Sequence, residues 1–198
     1  MADTGRSFRA EAVVLRHINS GEADRILTLY TRDHGKIRVI ARGIRKIKSR
    51  KAGHLEPFNR ITVQLARGHD LSIVSQADTL AAYPNIRASL DLTGYTAVVI
   101  ELLDRFTFEA EENQAIYRLL IETLERFDLG EDPFLALGYF QVHFLDCLGY
   151  RPELFSCANC RKEIQPEDQF FSPEHGGIIC PNCGRSVPHC RPASMQAL

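Results

Sequence analysis

The sequence predicts an α+β fold in several parts: a five-stranded barrel, then an α-helical bundle, then a small four-cysteine module. Three observations predict it. Short alternating segments with turn residues between them fill roughly the first 80 positions. Apolar residues then recur at spacings of three and four as far as Leu148. From Arg151 onward the chain is rich in Pro, Gly and Cys and has little periodicity. The expected boundaries are 1–82, 83–150 and 151–198.

Residues 8–18, FRAEAVVLRHI, read as the first strand, with Val13, Leu15 and His17 on one face and Ala12, Val14 and Arg16 on the other. RILTLYT (25–31), the turn-like RDHG and KIRVIAR (36–42) read as a hairpin, in which Gly35 supplies a positive φ. RITVQLA (60–66) alternates Ile61, Val63 and Leu65 against Thr62 and Gln64, and a turn at Gly68 leads to DLSIVSQA (70–77). Five short strands of this kind close their own edges as a small barrel. Its longest connection is 43–59.

Tyr83-Pro84 marks the change to helix. Val98, Val99, Leu102, Leu103 and Phe106 form one apolar stripe, and Ile116, Leu119, Leu120, Leu124 and Phe127 a second. Asp132-Pro133 is an N-cap and N1 pair for a third helix, with Gly149 as its C′ residue. The stripes are core positions rather than a cofactor site.

The last segment cannot build a useful apolar core and needs a staple. Residues 157–160 read CANC and 180–183 read CPNC, giving C-x2-C-x19-C-x2-C. Two such turns can aim Cys157, Cys160, Cys180 and Cys183 at one ion with four thiolates, which is the pattern of a structural zinc site with no open position. Iron in the same site is the alternative. Disulfides do not suit a cytosolic chain, and a redox pair would want a βαβ setting. Cys147 reads as a buried small hydrophobe, and His189-Cys190 as a ligand pair the spacing does not require.

Composition excludes several classes. No run of 18 apolar residues exists, so no membrane span is expected, and the N-terminal sequence lacks an apolar signal region, so the expected location is the cytoplasm. There is no G-x-x-x-x-G-K-[ST], H-E-x-x-H or G-x-S-x-G motif. Glu109, Glu111 and Glu112 sit in a connection, where they solvate it or cap the next helix. No enzyme is expected.

The net charge of −1 conceals a balance of +7 over residues 1–82 and −8 over 83–198. Eight cations and no acid lie between positions 36 and 51: Lys36, Arg38, Arg42, Arg45, Lys46, Lys48, Arg50 and Lys51. Alternation puts Lys36, Arg38, Ile40 and Arg42 on one face of the third strand, which feeds a cationic loop; Ile44 and Ile47 are the residues that would tie that loop down. In five-stranded OB barrels this face and its loops bind nucleic acid. Only Phe8, Tyr30 and Phe58 are aromatic in this half, so phosphate contacts should dominate over base stacking. The competing functional classes are an RNA-binding or translation-associated module and a zinc enzyme acting on nucleic acid.

GEADRILTLYTRDHGKIRVIARGIRKIKSR (21–50), followed by LEPF, resembles the N-terminal barrel of the bacterial recombination and repair family RecO. LGYRPELFSCANC (148–160) and FFSPEHGGIICPNC (170–183) resemble that family's zinc-bearing part. The resemblance implies an OB-fold, a helical domain and a zinc module packed on it. It implies a non-catalytic mediator that binds single- and double-stranded DNA, anneals complementary strands, and works with RecR, often with RecF, to load RecA recombinase onto strands coated by single-strand-binding protein. It maps the basic DNA surface to Arg38, Arg42, Arg45, Lys46, Lys48, Arg50 and Lys51, and one structural Zn2+ to Cys157, Cys160, Cys180 and Cys183. Family members usually continue with more helix beyond the second cysteine pair, whereas this sequence ends at Leu198, so contacts of that tail are not carried over.

Overall fold

Strand β1 (Ser7–Ser20) is long enough to pair with two neighbours, β2 (Asp24–Thr31) along its second half and β4 (Arg60–Ala66) along its first. Strand β3 (Gly35–Ala41) pairs antiparallel with β2, and β5 (Ser72–Ala81) pairs antiparallel with β4 and parallel with β3. The order β1-β2-β3-β5-β4 closes back on β1, the five-stranded OB-like barrel expected from the sequence. The computed structural model describes residues 7–195. They fall into two compact units, one running up to Phe140 and the other from Gln141 onward.

The barrel is filled from every strand. Ala12, Val14, Leu27, Leu29, Val39, Ile61, Val63, Leu65 and Val74 are buried together inside it. Alternation in each strand sends these side chains inward and their neighbours outward. One expectation fails here. A bulge between Val14 and Arg16 shifts the register of β1, so Val14 faces Leu29 while His17 faces Leu27. His17 therefore shares the face of Val14 rather than that of Val13, because the extra residue of a bulge inverts the alternation beyond it.

The β2–β3 turn needs Gly35 for two reasons. Its φ is +61°, and a Cβ there would run into the carbonyl oxygen of Glu111. The segment around Glu109 lies along β3, with Ala110 N–H donating to Lys36 O (2.9 Å).

After β5 the chain turns at Tyr83, whose backbone is left-handed (φ 48°) and whose hydroxyl is pushed by burial and nearby carboxylates up to about 12. Helix α1 (Pro84–Ala88) and α2 (Leu90–Phe106) follow; the Ser89 hydroxyl accepts Leu92 N–H at the α2 N-terminus. Helix α3 (Gln114–Leu129) is capped by Asn113, which accepts from Ala115 and Ile116 N–H, and ends at Gly130 with φ 81°. The buried faces of α2 and α3 hold Val99, Leu103, Leu120, Leu124 and Phe127. Glu11 joins sheet to helix: it pairs with Arg60 (2.6 Å) and accepts from the Tyr117 hydroxyl (3.1 Å). Burial, with Glu11 alongside, raises the Tyr117 pKa, so it stays a donor. Helix α4 (Pro133–Cys147) opens as expected, with Asp132 Oδ1 accepting from Phe134 and Leu135 N–H.

In the second unit, β6 (Gln169–Ser172) pairs with β7 (Gly177–Ile179) and with β8 (Arg191–Ala193), and the short helix α5 (Pro181–Gly184) follows β7. Gly177 packs so closely on Glu153 that a Cβ would strike the Glu153 carbonyl oxygen. Among the described residues no helix is long and apolar enough to cross a membrane.

Candidate nucleic-acid interface and metal centre

The basic connection between β3 and β4 is a chain of turns pinned at several points. Ile44 is 1% exposed and, with Leu55, belongs to the barrel core. Gly43 N–H donates to Asp24 Oδ1 (2.7 Å), and Arg45 N–H to Ala23 O (2.9 Å). Ser49 N–H closes a turn on Lys46 O (2.8 Å), and Asn59 Nδ2 donates to Gly53 and His54 O. One side of the connection is thus held by apolar burial and backbone hydrogen bonds. The other side carries the charge, and Ile47, on that side, is fully exposed at 105%.

Arg38, Arg42, Arg45, Lys46, Lys48 and Arg50 are all exposed. Among the described residues none of the six makes an ion pair. Two nearby acids are already engaged: Glu56 with Arg25 (3.0 Å) and Asp24 with the Gly43 amide. Unpaired like charges at this density lower each other's stability and attract a polyanion.

Two residues of the expected set sit differently. Lys36 is 8% exposed, and its Nζ donates to Asp104 O (2.5 Å) and lies 3.4 Å from the Asp104 carboxylate, which also holds Arg16 (2.7 Å). It points at α2 rather than at solvent, so its place in an outward cation ladder is corrected. The reason is tertiary: α2 and the segment after it cover this end of β3. Lys51 is half-buried and spends a donor on Val74 O (2.8 Å).

The aromatic residues offer no stacking platform on the barrel. Tyr30 is buried, Phe8 packs against the core and meets His34 edge-on at 4.9 Å, and Phe58 lines a hollow with Ala97 and Ile100.

The second unit brings Cys157, Cys160, Cys180 and Cys183 together, with all four sulfurs within 4.8 Å of one another. The first pair lies on a hairpin turn, where Arg161 N–H donates to Cys157 O and Cys157 N–H to Lys162 O. In the second, Cys180 is the N-cap residue of α5 and Cys183 lies within it, with Cys183 and Gly184 N–H both donating to Cys180 O. The Sγ atoms of Cys160 and Cys180 are 3.8 Å apart. That is the edge of a tetrahedron with metal–sulfur bonds of about 2.3 Å. Burial raises the Cys157 pKa, but N–H groups of Cys160, Cys180 and Asn159 outweigh it and bring the thiol down to about 6, the thiolate form a metal needs. Cys180, pushed by burial, stands at about 11. These four residues could hold one metal ion. Cys190 packs beside the cluster without joining it, and Cys147 is half-buried.

The sequence profile for the N-terminal part of recombination protein O matches residues 5–83, and that for its C-terminal part matches residues 87–198. The barrel, the helices and the cysteine module are therefore those of a DNA repair and recombination protein. Relatives described as DNA repair protein RecO are similar over nearly the whole chain. One from Dehalococcoides mccartyi is 42% identical across 96% of this chain and 75% of its own length, and one from Roseiflexus is 38% identical across 97% and 68%. One from Geobacter metallireducens is 38% identical across 90% and 73%. The chain belongs to the RecO family of non-catalytic recombination mediators.

Proposed function

We propose that this protein binds single- and double-stranded DNA through Arg38, Arg42, Arg45, Lys46, Lys48 and Arg50, with Lys51 at the edge of the set, and uses that grip to anneal complementary strands. The observation that carries this reading is the six exposed cations, without an ion pair among the described residues, that run from Arg38 on β3 into a connection whose opposite side is anchored in the barrel core. Two strands repel one another through their phosphates. A cationic surface that holds both lowers that barrier, and since phosphates carry no sequence, the grip is sequence-tolerant. In the same reading the protein acts with RecR, and in some settings with RecF, to help load RecA recombinase onto DNA coated by single-strand-binding protein, in the bacterial cytoplasm at the nucleoid. Residues 1–82 are the DNA-binding part, 83–150 the helical part and 151–198 the metal module.

The metal is zinc, held by the four cysteines as a structural ion. A closed set of four thiolates has no open position for substrate, and zinc takes that set in tetrahedral geometry. Its contribution is to fold residues around it whose own apolar core is small: among the described residues, Cys157, Ile179 and Val187 are the buried members of that cluster.

The deciding experiment is strand annealing in the presence of the cognate single-strand-binding protein, comparing wild type with Arg45→Ala/Lys46→Ala/Lys48→Ala. The variant should anneal poorly while folding normally, because none of the three side chains is buried. Normal annealing by the triple variant would remove the basic connection as the DNA site.

A further inference from the structure

The barrel's register places one residue type in a single row on its outer surface. Ile18 lies opposite Ile26, Ile26 opposite Ile40, and Ile40 opposite Ile73, so the row crosses β1, β2, β3 and β5. The neighbours Leu27, Val39 and Val74 point into the core, and by alternation these four isoleucines point out. None of them belongs to the barrel core; Ile18 is 47% exposed and the others are half-buried. A single exposed isoleucine needs no explanation, but a contiguous row of four does.

The flanks of the row are charged. Two residues before Ile40 on β3 stands Arg38, and two residues after it comes Arg42, both exposed, with the basic connection continuing beyond Arg42. An aliphatic floor between cations matches a ligand with apolar faces and an anionic backbone. Single-stranded DNA has both, whereas a duplex hides its base faces in the stack. The row spans about 14 Å at ~4.8 Å per strand, the length of about four stacked bases.

We propose that the Ile18–Ile26–Ile40–Ile73 row is the floor on which the bases of single-stranded DNA lie, while Arg38 and Arg42 on either side hold the phosphates. The row takes the place of the aromatic platform that this barrel lacks on its surface. It rests on the DNA-binding reading above and adds to it a preference for unpaired bases that phosphate contacts alone cannot supply.

The test uses the unmodified protein first. Its affinity is measured for an oligonucleotide, for an abasic strand of equal length and for the corresponding duplex, across a salt series. The abasic strand keeps the phosphates and loses the bases, so it should bind about fivefold to tenfold more weakly with the same salt slope. Ile26→Thr/Ile40→Thr keeps the β-branched shape and removes apolar surface. It should lose about the same factor on the single strand and none on the duplex. Equal binding of abasic and normal strands overturns the proposal, as does an equal loss on single strand and duplex. An unchanged single-strand affinity in the double variant also overturns it, and leaves the row as a surface for another macromolecule. If no DNA binds at all, the DNA-binding reading fails with it; binding that ignores the bases sinks the row alone.

Discussion

The number of cations free to meet phosphate can be read from the structure and measured as a salt slope. The run from Lys36 to Lys51 contains eight, but Lys36 is bound to Asp104 and Lys51 is half-buried against Val74 O, which leaves six. On single strands each neutralised phosphate contributes about −0.7 to the slope of log K against log salt, so six give about −4 and eight would give about −6. Between about 50 and about 200 mM salt, the affinity should then fall about 300-fold rather than about 2,000-fold. The triple variant Arg45→Ala/Lys46→Ala/Lys48→Ala should retain a slope of about −2 and lose only about 20-fold over the same range. Fluorescence anisotropy of a labelled oligothymidylate, titrated at each salt concentration, gives these slopes directly. The discriminating control is Lys36→Met, which keeps the buried stem and removes the charge. Its slope should equal that of wild type. A wild-type slope near −6, or a shallower slope in Lys36→Met, would refute the assignment of Lys36 to the interior.

Ile44→Ala should destabilise the N-terminal unit by roughly 2–5 kcal/mol in denaturant unfolding, while Ile47→Ala should change it by no more than about 0.5 kcal/mol. Equal effects would mean that the turn is not anchored through Ile44. One equivalent of zinc should copurify with each chain, and Cys157→Ser should lose it and expose the remaining cysteines to thiol reagents; retention of the metal with unreactive thiols would sink the four-cysteine assignment. Burial, reinforced by Arg25 and opposed by Glu56, lowers the His17 pKa from 6.5. The unfolded chain therefore takes up that proton first, so the contribution of His17 to stability is complete above 6.5 and is lost as pH falls through the lower folded-state value. Urea midpoints across that window should fall in wild type and flatten in His17→Gln; parallel curves would contradict the assignment.

Much of this fold is written in local pattern. Alternation at Ile61, Val63 and Leu65, Gly35 at a position needing positive φ, and Asp132-Pro133 ahead of α4 each act over a few residues, and each stands where the sequence reading puts it. The cysteine pairs were equally legible, because the spacing of a C-x2-C turn is set by the turn itself. Other elements were not. The strands β6, β7 and β8 are three or four residues long and too short to show a period. Helix α2 begins at Leu90, ahead of the expected stripe, because Ser89 caps it there. Strand β5 runs on to Ala81, since β4 offers it partners as far as Arg60.

By itself the sequence determined that a basic barrel, a helical part and a four-cysteine module follow one another, since periodicity, turn chemistry and cysteine spacing are properties of neighbouring residues. Only the tertiary structure decided which of those residues meet solvent. A bulge after Val14 turned His17 to the other face of β1. Packing of α2 withdrew Lys36 from the cation set, and closure of the barrel took Ile44 inside while leaving Ile47 out. Strand register, which no single strand encodes, lined up Ile18, Ile26, Ile40 and Ile73 from four separate segments. Exposure and register depend on contacts between residues far apart in the chain, and those contacts exist only once the barrel has closed.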